Sequence, residues 1–162
     1  MKLLPIVFVL SFLCLSNTYI SEVENIENNN PLRDPRVFLI DENELLYERL
    51  TAEYNTFLLT ACDNDMNKAI KVWNKTLTQM QNYAIRWNYY NSIIGVKIWI
   101  RFFCDKKGRI QHIGYAVKPG SRNVDTELFS KFLARFIRVY RFNIRTNNKF
   151  SHYHSISFPV KL

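Results

Sequence analysis

An α+β fold is predicted for this chain: two N-terminal helices, then a small antiparallel three-stranded sheet in the order strand–strand–helix–strand, with a helix packed on one face. Three observations predict it. Val96 to Cys104 alternates apolar and mixed residues, turns at Asp105-Lys106-Lys107-Gly108 and returns over Ile110 to Val117, the pattern of a β-hairpin. Leu128, Phe129, Phe132, Leu133, Phe136 and Tyr140 then make a broad apolar stripe at helical spacing. Ser151 to Leu162 alternates once more, as a closing strand does.

Each element has its own warrant. Residues 1–21 read as a signal peptide: Met1-Lys2 is a charged start, and Leu3 to Leu15 is an apolar run too short for the roughly 20 residues that span a bilayer. Cys14 raises a lipid-anchored alternative, against which stands the missing small residue before it. Residues 22–40 are acidic and asparagine-rich and read as a flexible leader. Residues 41–90 form the helical region. Its first helix is expected from Asp41 to about Thr60, on Leu46, Leu50, Tyr54 and Phe57. Its second is expected from Met66 to near Trp87, capped by Asp63-Asn64-Asp65 and packed through Met66, Ile70, Trp73, Leu77, Met80, Ala84 and Trp87.

Residues 93–162 carry the sheet. Val96, Ile98, Ile100 and Phe102 point one way and Lys97, Trp99, Arg101 and Phe103 the other. Gly108 supplies the positive φ of the turn. Asn123 or Asp125 caps the last helix, with Asp125 and Glu127 at its positive end.

Composition narrows the function classes. With 48% hydrophobic and 15% aromatic residues in 162, the chain can bury a real core. Only 4 glycines occur, and neither GxGxxG nor GxxxxGK, so a phosphate-cradling loop is excluded. No GxSxG elbow or recognisable carboxylate pair is present either, and neither catalysis nor a cofactor is expected. Charge is split. From Glu22 to Asp65 there are eleven acids against three bases, whereas residues 95–162 hold fourteen bases against three acids. The basic end suits an anionic surface, or the two halves attract one another.

Phe102-x-x-Asp105-x-x-Gly108-x-Ile110, the helix with Phe129, Phe132 and Phe136, and the closing Ile156-Ser157-Phe158-Pro159-Val160 together resemble the C-terminal domain of TonB-type proteins, over about residues 93–162. The resemblance implies a periplasmic or envelope-associated module that binds a short extended segment of a partner beside its last strand. Carried onto this sequence, the binding edge is Ser155, Ile156, Ser157, Phe158, Pro159 and Val160. Pro159 cannot donate a ladder hydrogen bond and suits an edge. An envelope protein or extended peptide is the expected partner, and a homodimer through the edge strand is open to such a fold.

The full energy-transducer role is not implied. The chain lacks a long proline-rich spacer and a Tyr-Pro pair before the first strand, where Asn88-Tyr89-Tyr90-Asn91 stands.

An alternative is a small periplasmic metal-binding protein or enzyme built on His112, His152 and His154, because an His-x-His pair on a strand presents both rings to one side. Trp99, Arg101, Phe103, Arg109 and Tyr115 resemble a base-stacking surface, but export makes nucleic acid an unsuitable partner. Cys62 and Cys104 either pair in an oxidising compartment or pack as small apolar residues.

Overall fold

The computed structural model describes residues 34–160. The signal segment, Cys14, leader residues 22–33, and Lys161 and Leu162 lie outside the described residues. In chain order the elements are β1 (Val37–Leu39), α1 (Glu44–Glu53), β2 (Thr56–Phe57), α2 (Leu58–Ala61), α3 (Met66–Arg86), α4 (Tyr90–Ile93), β3 (Lys97–Cys104), β4 (Ile110–Val117), α5 (Thr126–Val139) and β5 (Phe150–Ser157).

The sheet is five-stranded and mixed, in the order β1-β4-β3-β5-β2. Strand β3 pairs antiparallel with β4 and with β5, while β1 lies parallel to β4 and β2 parallel to β5. The α+β class stands, but the expected three-stranded antiparallel sheet behind two N-terminal helices does not. Both additional strands come from the N-terminal part, and β1 falls inside the segment expected to be leader. At three and two residues they are too short to show alternation, and only contact with β4 and β5 makes them strands.

The expected first helix is broken for a packing reason. Tyr54 leaves the helix to set its ring edge-on to Phe103 at 5.5 Å, and its carbonyl accepts a 2.9 Å bond from Ser151 Oγ. Thr56 and Phe57 then pair with Phe150 and Ser151 before α2 begins.

Helix α3 starts where the sequence indicates, with the Asp65 carboxylate accepting from the Lys68 amide at 3.0 Å. Of its expected packing face, Trp73, Leu77, Met80 and Ala84 are buried, while Met66, Ile70 and Trp87 are not. Ala69 and Thr76 are buried as well. Helix α5 is capped by Asp125, which accepts from the Leu128 amide at 2.9 Å, and buries Phe129, Phe132, Leu133, Phe136 and Ile137.

Antiparallel partners share a face, so the register sorts the core. Ile98, Ile100 and Phe102 are buried on the face covered by α3 and α5, with Ile156 buried opposite Ile98; His152, half-buried, and His154, exposed, lie opposite Phe102 and Ile100. Trp73 meets Phe102 edge-on at 5.6 Å, and Tyr115 meets Phe129 at 5.2 Å. On the opposite face Phe103 packs with Phe38, Leu50 and Tyr54, bringing α1 onto the sheet. Arg101 lies there too, 8% exposed, its guanidinium donating to Thr51 and Ser151 at 3.0 Å and lying 5.5 Å from the Phe103 ring. Cys62 and Cys104 are buried and unpaired. Burial, with Asp105 adding to it, pushes the Cys104 thiol well above its ordinary pKa. Among the described residues, no helix is long and apolar enough to cross a membrane.

The β3–β4 turn depends on Gly108. Its φ is +77°, and a Cβ there would stand 2.3 Å from the Phe142 carbonyl oxygen. Gly108→Ala is expected to lose about 2–3 kcal/mol of stability by urea unfolding; an unchanged midpoint would contradict this close approach.

Candidate functional site

Strand β5 alternates Phe150, His152, His154 and Ile156 on the α3 side with Ser151, Tyr153, Ser155 and Ser157 on the other. Backbone direction alternates in the same rhythm. The Phe158 amide donates to the Val96 carbonyl at 2.9 Å, so even-numbered residues turn their amides and carbonyls toward β3 and odd-numbered ones turn them outward. Strand β2 meets the outward groups at Ser151 and stops. Tyr153, Ser155 and Ser157 therefore present outward backbone groups with no sheet neighbour among the described residues.

Beside that open edge lies a small aromatic and cationic platform. Trp99 and Tyr153, 38% and 45% exposed, stack at 5.5 Å with 13° between their planes. Lys118 Nζ stands 4.1 Å from the Trp99 ring centre and donates to Ser155 Oγ at 2.8 Å. Lys97, opposite Ser157, is also exposed. The platform occupies the part of the face beyond the cluster that α1 covers around Phe103 and Arg101. Chemically it can hold an extended chain by backbone hydrogen bonds, an apolar side chain on the stacked rings and a carboxylate near the two lysines.

The expected edge residues divide. Ser155 and Ser157 lie on the outward, platform side. Ile156 and Phe158 are buried, Phe158 meeting Phe129 edge-on at 6.3 Å. Pro159 is exposed past the end of β5, and the Val160 amide donates to Gln81 Oε1 at 2.6 Å, tying it to α3. The expectation that the whole closing segment is a sheet rim is thus corrected: β2 flanks β5 at its start, and the strand ends at Ser157. Tyr153 and Lys118 were missed. Sequence offers no signal for them, because their meeting with Trp99 depends on the registers of β3 with β4 and β5.

The three histidines are not brought together. His152 and His154 stack at 5.8 Å beneath Trp73, whose ring lies 4.3 and 5.1 Å from theirs. His112 is paired with Phe103, on the opposite face, with its Nδ1 2.9 Å from the Pro35 carbonyl oxygen. Among the described residues no group of three His, Cys, Asp or Glu side chains could hold a metal ion. The base-stacking surface also dissolves. Tyr115 is buried against Ser130, Phe103 and Arg101 lie under α1, and Arg109 is bound to Asp105 at 2.6 Å.

No family model matches this chain, and no curated protein or solved structure matches it.

His152 gives a pH dependence with a definite sign. Burial, and after it the charge of His154, lowers its pKa from 6.5 to about 4. The unfolded chain therefore takes up this proton first as pH falls, and stability declines from about pH 6.5 down to about pH 4. The full loss is on the order of 3 kcal/mol, and His154, also lowered by burial, adds in the same direction. Urea midpoints at pH 7, 5 and 4 check it: His152→Gln is expected to flatten the decline, and an equal decline in both proteins would refute the assignment.

Proposed function

We propose that this protein is an exported, non-catalytic interaction module of the cell envelope that binds an extended segment of a partner protein along the outer edge of β5. The observation that carries the reading is the set of outward backbone groups at Tyr153, Ser155 and Ser157, left open past the end of β2. An added strand satisfies them with main-chain hydrogen bonds, and alternate side chains of that strand fall on the Trp99–Tyr153 platform. Lys97 and Lys118 favour a partner segment carrying acidic residues.

Two features of the sequence support the setting. Met1-Lys2 followed by the Leu3–Leu15 run has the form of an export signal. Residues 93–162 resemble the C-terminal domain of TonB-type proteins, in which a partner segment adds beside the last strand. The same open edge would let two copies pair with each other, so oligomeric state belongs in any binding experiment.

Titrating an acidic, extended envelope peptide into the ¹⁵N-labelled mature protein tests the mode. Amide shifts are expected at Tyr153 to Ser157 and on the Trp99 indole. Trp99→Ala should weaken binding by about tenfold. Ser155→Pro removes an outward donor while sparing every bond from β5 to β3, and it should abolish binding with the sheet retained. Shifts confined to other elements, with β5 silent, would refute strand addition.

A further inference from the structure

A second site lies at the other end of β3. Trp99 and Asp105 are six residues apart, roughly 20 Å along an extended strand, so the β3–β4 turn is remote from the platform. Packed against this turn is the segment that follows α5. The Phe142 amide donates to the Gly108 carbonyl at 2.8 Å, the Thr146 amide to the Lys106 carbonyl at 3.0 Å, and Arg109 and Arg141 form an antiparallel bridge. Phe142 and Ile144 are buried, which turns Arg141, Asn143 and Arg145 outward. The Phe142 ring is held edge-on by Phe102 and Phe150, both at 5.8 Å. The result is a pocket of about 260 Å³ lined by Lys107, Arg141, Phe142, Asn143, Ile144 and Arg145.

Its charge is unbalanced. Lys107, Arg141 and Arg145 all line it, and none of them has a carboxylate partner among the described residues. Asp105, the acid of the same turn, is already committed. One carboxylate oxygen accepts from the Lys107 and Arg109 amides at 2.8 and 2.9 Å, and the other accepts from Arg109 Nε at 2.6 Å. Burial would raise the Asp105 pKa, but these bonds outweigh it and keep the carboxylate ionised. Cations of like sign brought to one pocket repel one another, and a bound anion relieves that repulsion.

We infer that this pocket is a binding site for a phosphate group. Arg141 and Arg145 can each offer a planar fork that matches two phosphate oxygens, and Lys107 adds a mobile point charge. The volume lies below the range of drug-sized ligand pockets and suits a small hydrated group. A phosphate reaches such a site either as a free anion or on a lipid headgroup.

The test uses the full-length chain with two probes, inorganic pyrophosphate followed by calorimetry and phosphatidylglycerol vesicles followed by sedimentation. The decisive variant is Arg141→Gln/Arg145→Gln; the control is Lys71→Gln/Lys75→Gln, which removes the same charge from the exposed side of α3. Saturable pyrophosphate binding, weakened at least tenfold by the pocket variant alone, supports a free-anion site. Vesicle binding without pyrophosphate binding, lost in the pocket variant alone, supports a headgroup site. Equal losses in both variants, or no binding of either probe, would overturn the inference.

Discussion

Strand β3 has to satisfy two hydrogen-bonding edges and two packed faces at once, and that double constraint organises the molecule. Its odd-numbered residues turn their backbone groups to β4 and its even-numbered residues turn theirs to β5. A slip of one residue against either neighbour would move Ile98, Ile100 and Phe102 out from under α3 and α5. The same slip would separate Phe103 from the cluster that holds α1. The register that builds the core therefore also decides which groups of β5 face outward.

The α1 face is the more polar of the two. Arg101 is buried there with neutral oxygens from Thr51, Ser151 and Tyr47 about it, and its Nε has no hydrogen-bond partner. A buried guanidinium without a carboxylate is costly to hold. Its bonds join α1, β3 and β5 at one point, with Phe103 and Tyr47 rings against the cation. That arrangement ends the covered part of the face and leaves Trp99 and Tyr153 in the open.

Legibility in the sequence follows element length. The hairpin, α3, α5 and the closing strand each span enough residues for a period of 2 or 3.6 to show, and Asp65, Gly108 and Asp125 mark their boundaries. Strands β1 and β2 and the four-residue helices α2 and α4 carry too few residues for any period. The middle of the α3 face, from Trp73 to Ala84, was legible, but its edges were not, because small and polar residues do part of the packing. Ala69 is buried, and Thr76 sits against Tyr140, the two hydroxyls 2.8 Å apart, while the larger Ile70 stays exposed. Among the site residues, Ser155 and Ser157 were legible as parts of a closing strand. Tyr153 and Lys118 were not, because cross-strand register is a tertiary property. The basic pocket was visible only as an excess of charge, since its walls come from a turn and a loop more than thirty residues apart.

Amide hydrogen exchange of the free full-length chain tests the open edge most directly. The amides of His152, His154 and Ile156 should be protected through their bonds to β3, with those of Tyr153, Ser155 and Ser157 exchanging orders of magnitude faster. Uniform protection along all six positions would mean that the outer side of β5 is already covered, and the binding edge would not exist.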